Sequence, residues 1–237
     1  MSRLHLWILA CIPSVTFSQS APPAFKKLSI GVTFEIDYVN QFLRFPQPHK
    51  DIPDAADHRQ ARVGGAIGVT AEYALTPRMA LGTGLQVLER GYATKKTELN
   101  WVSPHDRYPT HSKVVFTSYL VEVPLNLKYN FNVAAVEAYI TGGPSIGRWI
   151  HRKTSVLTYF KETKQKTVSN KIGDDYLNTI VSVHLGVGVR VPVSSRFTLG
   201  LEPLYRRTLT SLSDHREAER YVYSFGINTH LSLKFKK

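Results

Sequence analysis

The sequence predicts an all-β protein: an eight-stranded antiparallel up-and-down transmembrane β-barrel with long extracellular loops and short periplasmic turns. Three observations carry that expectation. Apolar residues fall at every second position in eight successive segments, the connections alternate between long and short, and an amino-terminal leader directs the chain out of the cytoplasm. Successive residues of a strand point to opposite faces, so a barrel bathed in lipid needs one of its two rows apolar throughout. A helix would instead repeat its apolar residues at intervals of three and four.

Residues 1–20 read as a signal peptide. Arg3 supplies the positive start, residues 4–17 are mostly apolar, and the small residues Ser18, Ser20 and Ala21 follow, so cleavage is expected after Ser18 or Ser20. Residues 21–237 then form one barrel domain. The run Ile8-Leu9-Ala10-Cys11 loosely resembles a lipoprotein cleavage box, but that reading leaves an apolar core of only about seven residues. Cleavage after Ser18 or later removes the single cysteine, and with it disulfides, thiolate metal sites and cysteine nucleophiles. The chain is 43% hydrophobic and lacks the roughly 18-residue apolar run of a membrane helix. Barrel strands need only alternate residues to be apolar, so an unremarkable mean hydropathy is compatible with spanning a membrane. The net charge of +12 calls for an anionic neighbour. For an exported protein that neighbour is phosphorylated lipid, and no nucleic-acid-binding motif is present.

The first segment sets the pattern. Leu28, Ile30, Val32, Phe34, Ile36 and Tyr38 form one row, and Ser29, Gly31, Thr33, Glu35 and Asp37 the other. The second sends Val63, Ile67, Val69, Ala71, Tyr73 and Leu75 outward, the third Met79, Leu81, Leu85 and Val87, and the fourth Tyr119, Val121, Val123, Leu125, Leu127 and Tyr129. The fifth is the least regular, with Ala138, Ile140, Pro144 and Ile146 outward. In the sixth Val181, Val183, Leu185, Val187, Val189 and Val191 face out, in the seventh Phe197, Leu199, Leu201 and Tyr205, and in the eighth Tyr223, Phe225, Ile227, Leu231, Leu233 and Phe235. Short connectors around Pro77, at residues 130–135 and at 192–196 alternate with long ones at 39–61, 92–117, 151–179 and 207–220. That order puts both mature termini in the periplasm of a Gram-negative cell. A soluble barrel would turn its apolar row inward, whereas here the opposite row is rich in Gly, Ala, Ser and Thr, which suit a crowded lumen. Pro124 and Pro203 fall inside strands, where each removes a ladder hydrogen bond.

Three segments, Leu85-Gln-Val-Leu-Glu-Arg-Gly-Tyr92, Tyr119-Leu-Val-Glu-Val-Pro-Leu-Asn-Leu-Lys-Tyr129 and Gly142-Gly-Pro-Ser-Ile-Gly147, resemble the PorT-like outer-membrane β-barrel family of the Bacteroidetes. The resemblance spans about residues 28–235 and implies Pro124 and Pro144 as family features. Lys236 and Lys237 depart from the family's terminal aromatic. The family takes its name from a component of a protein-secretion system, so the resemblance implies an envelope protein partner and no defined enzyme activity.

The inward row collects charges of both signs: Glu35, Asp37, Arg62, Glu72, Arg90, Glu122, Lys128, Glu137, Arg190, Glu202 and Arg206. An eight-stranded barrel is just wide enough to be filled by side chains, so these are expected to pair into a plug, Lys128 with Glu137 across a short turn. The one combination with catalytic character is Ser182, His184 and Glu202, a hydroxyl, an imidazole and a carboxylate on adjacent strands. It would suit a barrel enzyme that deacylates lipid A, but no G-x-S-x-G elbow accompanies it. The loop histidines His105, His111, His151 and His215 lack metal-ligand spacing, so neither a metal nor another cofactor is expected. Arg152, Lys153, Lys161, Lys164, Lys166 and Lys171, with Lys95, Lys96, Arg107 and Lys113 nearby, make the long loops basic enough to meet lipopolysaccharide phosphates. The expectation is therefore a non-enzymatic scaffold, surface protein or envelope-complex subunit, with a lipid-A-modifying enzyme and a small-solute pore as its rivals.

Overall fold

The computed structural model describes residues 28–44, 59–103, 105, 107–133, 136–169, 179–212 and 219–235. The leader with Cys11, together with Lys171, His215, Lys236 and Lys237, lies outside the described residues. The chain forms one antiparallel sheet whose eight long strands are β1 (Leu28–Arg44), β2 (Arg62–Ala74), β3 (Met79–Thr94), β4 (His111–Val133), β5 (Val136–Tyr159), β6 (Thr179–Pro192), β7 (Phe197–Thr208) and β8 (Glu219–Lys234). Each pairs with its neighbours in sequence, and β1 pairs with β8, so the sheet closes on itself. Short strands at Arg59–Gln60, Thr97–Glu98 and Lys164–Ser169 extend three of the hairpins.

Closure imposes a stagger. From Leu28 the cross-strand partners run through Tyr73, Leu81, Leu127, Gly142, Leu185, Tyr205 and Phe225, and return to β1 at Tyr38. One circuit thus climbs from position 28 to position 38 of the same strand, which in an eight-stranded barrel corresponds to a strand tilt of roughly 40°. The two ends of that climb carry aromatic rings, Tyr73 at one and Tyr38, Tyr205 and Phe225 at the other, with aliphatic residues between them. That is the arrangement of a lipid-facing band bounded by aromatic girdles.

The outward row is apolar and open all the way round. Val32, Phe34 and Ile36 are each 54% exposed, Ile67 63% and Leu185 59%, whereas Glu35 and Asp37 between them are 3% exposed. Ala138 is the exception in its row, being buried. This inversion, with charge inside and hydrocarbon outside, is stable only where the surrounding medium is itself apolar.

All eight strands predicted from the sequence are present, but most run further than the alternation. β1 continues to Arg44, β4 begins at His111 and β5 reaches Tyr159, so much of the predicted long loops is barrel wall. Beyond the lipid neither face has to be apolar, and the period-two signal fades while the pairing goes on. Besides Pro192 at the end of β6, three prolines sit inside the wall, and each breaks the ladder on one side only. Pro124 pairs with Ser145, Pro144 with Val183 and Pro203 with Ile227, while regular pairing lapses on their other flanks. At Pro124 the gap is bridged by Thr83, whose hydroxyl donates to the Pro124 carbonyl at 2.9 Å.

A charge at mid-height on the outer wall should be costly only if lipid lies there. Leu185→Arg is expected to lower stability by about 2–4 kcal/mol, measured by reversible denaturant unfolding in phospholipid vesicles. A change below about 0.5 kcal/mol would mean that the wall faces water.

Candidate functional site

The lumen is built in layers. Its floor lies at the end where β1 begins and β8 ends, and Tyr139 is fully buried there. Arg190 stands 4.7 Å and Lys128 5.0 Å from the centre of the Tyr139 ring, and His230 meets the ring edge-on at 6.1 Å. Two glycines make room for this floor. A side chain at Gly188 would strike the Tyr139 ring, and one at Gly200 the His230 ring. Around the floor Glu72 accepts from Lys128 and Arg190, each at 2.8 Å, and Arg190 also reaches Glu137 at 3.3 Å.

Above it is a polar cavity of about 50 Å³, lined by Thr33, Gln86, Asn126, His184, Glu202 and Asn228 among others. The Asn228 amide donates to Glu202 at 3.4 Å, and Thr33 hydrogen-bonds Asn228. A second charge layer follows. Arg206 holds Glu122 at 2.6 Å and Glu35 at 3.1 Å, while Arg90 holds Glu35 at 3.3 Å and also bonds Asp37. All five side chains are 7% exposed or less. Charges this deep persist only when paired and hydrogen-bonded, and here each has a partner on another strand.

An apolar plug closes the lumen beyond the ion pairs. Ala66, Leu88 and Leu120 pack together, Val39, Ile180, Leu212 and Val222 form a second cluster, and Trp149 packs against both. Trp149 points inward in phase with Ser145 and Gly147, and a bulge follows it. Leu120 pairs with Trp149 but Tyr119 pairs with His151, so Ile150 is the extra residue and is 54% exposed on the outside.

Several expected sites are arranged differently. Arg62 is not in the lumen network. The β2–β3 register shifts by one residue between Gln60↔Ala93 and Gly65↔Glu89, and its guanidinium meets Glu89 at 3.0 Å, in the same row as outward Leu85 and Val87. It also donates to Thr117 Oγ1 at 2.5 Å. Lys128 pairs with Glu72, not with Glu137. The register sets Lys128 opposite Thr141 and places Arg190 directly across from Glu137, which takes that carboxylate. Glu202 has Asn228 rather than a cation as its hydrogen-bond partner.

Ser182, His184 and Glu202 all face the lumen, 2%, 5% and 4% exposed, but they do not assemble. His184 pairs with Arg206 on β7, whereas Glu202 adjoins Leu201, the partner of Val189. Along the backbone Glu202 is about four residues, roughly 13 Å at about 3.3 Å per residue, from the position opposite the histidine, although both side chains line the polar cavity. The His184 ring Nε2 instead meets Asn126 Oδ1 at 2.5 Å, and among the described residues no hydrogen bond joins the three groups. No cluster of His, Cys, Asp and Glu suited to a metal ion occurs among the described residues. The basic residues are spread over the long hairpins. Arg152 lies 4.9 Å over the Trp149 ring at the rim, Lys153 is half-buried beside it, and Lys161, Lys164 and Lys166 are exposed near the tip of the β5 hairpin.

A closed eight-stranded barrel with hydrocarbon outside and paired charge within defines an integral membrane protein of the β-barrel class. The chain belongs to the outer membrane protein β-barrel domain family, whose model matches residues 17–214, and so to the Gram-negative outer membrane. No curated protein matches the sequence. Among solved structures the chain is similar to Neisserial surface protein A, with 10% identity, a TM-score of 0.49, and coverage of 88% of this chain and 97% of that one. It is similar also to the outer membrane protein OprG from Pseudomonas aeruginosa, with 11% identity, a TM-score of 0.49 and coverage of 90% and 97%. The outer membrane protease OmpT from Escherichia coli gives 14% identity, a TM-score of 0.44 and coverage of 89% and 94%.

Arg206 bridges two buried carboxylates, so its loss should cost more than an isolated ion pair. Arg206→Met is expected to destabilise the barrel by about 3–5 kcal/mol, and Glu122→Gln in the same chain should restore part of that loss. Urea unfolding in vesicles measures both, and strictly additive effects would show that the two residues do not interact.

Proposed function

We propose that this protein is a non-enzymatic scaffold of the outer membrane that works through its exterior, as a surface protein or as a subunit of an envelope complex. The long hairpins stand on the extracellular side and both mature termini in the periplasm. The observation that carries this reading is the filled lumen: among the described residues a floor around Tyr139, a belt of ion pairs on Arg90 and Arg206, and a plug around Trp149 occupy it in succession. A pore needs a continuous path between the barrel ends. A lipid hydrolase needs its nucleophile, base and carboxylate in contact and open to lipid, whereas Ser182, His184 and Glu202 are buried and His184 and Glu202 bond Asn126 and Asn228 instead of each other.

With the interior occupied, contact with other molecules falls to the outer wall and the hairpins. Arg152, Lys153, Lys161, Lys164 and Lys166 would meet lipopolysaccharide phosphates there. The resemblance to the PorT-like family supports the complex-subunit form of the reading, with a second envelope protein as partner.

Because the mature chain has no cysteine of its own, a single Val102→Cys substitution at a hairpin tip reports topology cleanly. It should react with a membrane-impermeant maleimide in intact cells. Labelling only after the outer membrane is opened would reverse the orientation. Purified protein in planar bilayers should give no steady unit conductance, and reproducible conductance steps would favour the pore.

A further inference from the structure

The hairpin joining β3 to β4 ends in side chains that the barrel does not use. Thr97 and Glu98 pair with Ser112 and His111, which carries the intervening residues well clear of the wall. At the tip Trp101 and Tyr108 sit with ring centroids 5.1 Å apart and planes tilted by 34°, and the His105 ring lies 5.8 Å from Tyr108. The loop's own bonds fix this group. The Trp101 indole donates to the Pro109 carbonyl at 2.7 Å, the Arg107 amide donates to His105 Nδ1 at 3.1 Å, and the Tyr108 amide donates to the His105 carbonyl at 2.8 Å. Trp101 and Tyr108 are nevertheless each 46% exposed, and Val102 is fully exposed. Against them lies an open cleft of about 380 Å³, whose lining also includes Glu98, Asn100 and Lys161.

Held aromatic faces that the fold leaves open mark a contact site, and two facts choose its ligand. The first is height. From Glu89, near the end of the lipid-facing row, to Thr97 the strand climbs roughly 20 Å along the barrel axis at about 3.3 Å per residue and the tilt given above. That is beyond acyl chains and within the saccharide layer of an outer leaflet. The second is charge. Over residues 95–108 and 161–166 the six bases Lys95, Lys96, Arg107, Lys161, Lys164 and Lys166 outnumber the three acids Glu98, Asp106 and Glu162. The face of an indole or phenol ring is negative, so it attracts the C–H groups of a pyranose ring. Lysine and arginine match phosphate, and Asn100 and Glu98 can bond sugar hydroxyls.

We propose that the Trp101–Tyr108 cleft binds an anionic saccharide, the phosphorylated core oligosaccharide of outer-leaflet lipopolysaccharide. The proposal rests on the surface reading above and deepens it by naming a ligand and the residues that take it. Trp101 and Tyr108 stack on the sugar rings, and Lys161 meets phosphate.

The test titrates detergent-solubilised full-length barrel with core oligosaccharide released from a rough lipopolysaccharide, followed by saturation-transfer NMR. Saturable binding with a Kd of about 1 mM or tighter is expected. Trp101→Ala and Tyr108→Ala should each weaken it at least tenfold. Lys161→Gln, which leaves the aromatic pair intact, should weaken it about threefold for the phosphorylated ligand and leave a dephosphorylated one unaffected. Heat-modifiable gel migration shows that each variant folds. Absence of saturation, or an affinity unchanged in Trp101→Ala and Lys161→Gln, overturns the proposal. Equal binding of the dephosphorylated oligosaccharide removes its anionic part. Tighter binding of a sulfated heparin fragment would assign the cleft to a foreign glycan instead. Because the isolated protein is titrated with soluble ligand, an inverted orientation would show in the maleimide experiment and not here.

Discussion

The interior of an eight-stranded barrel is too narrow to hold bulk water and too crowded to leave a charge alone. Arg206 meets that constraint by binding Glu35 and Glu122, carried on β1 and β4, at once, and Arg90 ties Glu35 to Asp37 from a fourth strand. Four strands from around the circumference thus converge on one buried network. Their register follows from the pairing geometry, and so do the tilt of the wall and the direction of every lipid-facing side chain. A one-residue slip in any of them would put a carboxylate into hydrocarbon and an aliphatic residue among the charges.

The network also decides which kinds of function the fold can host. Between the Tyr139 floor and the Trp149 plug the lumen retains small cavities, a polar one of about 50 Å³ beside His184 and Glu202 and one of about 20 Å³ between Arg206 and Trp149. Small glycines make this filling possible. Gly188 and Gly200 leave room for the Tyr139 and His230 rings, and the floor depends on both. The rims differ from the interior in having aromatics and cations that face outward. Phe42 stacks on Tyr221 at 5.2 Å, with the Arg207 guanidinium 5.0 Å from the centre of the Phe42 ring, and Tyr119 lies against His151 at 6.1 Å.

Much of this was legible in the sequence, for a physical reason. Lipid demands an apolar residue at every outward position, so the run from Leu28 to Tyr38 could be read as a strand with its faces already assigned. Where the demand ends the reading ends: the stretches from Val39 to Arg44 and from His111 to Ser118 are strands without a hydrocarbon-facing row, and they passed for loop. Partner choice inside the lumen was less accessible, because it depends on register across the barrel and not on proximity in the chain. Lys128 lies closer in sequence to Glu137 than to Glu72, yet the stagger brings it to Glu72. Arg62 sits where the register shifts locally, which alternation alone does not reveal, whereas Trp149 is inward in simple phase with Ser145 and Gly147. The plug did leave a trace, since Leu88 and Leu120 are apolar residues in the inward phase, next to Gln86, Arg90 and Glu122. The serine, histidine and carboxylate of β6 and β7 show the converse, residue types that suit catalysis on one wall but whose hydrogen bonds go elsewhere, His184 to Asn126 and Glu202 to Asn228.

The central claim, hydrocarbon outside and a sealed, ion-paired interior, is tested most directly on the unmodified protein. Solid-state NMR of isotopically labelled protein in proteoliposomes can follow magnetisation transferred from lipid acyl chains and, separately, from water. Fast transfer from lipid to Ile30, Val32, Phe34 and Ile36, with slow transfer from water to Thr33, Glu35 and Glu122, is the predicted result. Fast transfer from water to Glu35 and Glu122 would mean an open lumen, and fast transfer from water to the Ile30 row would mean that the barrel does not stand in the membrane as described.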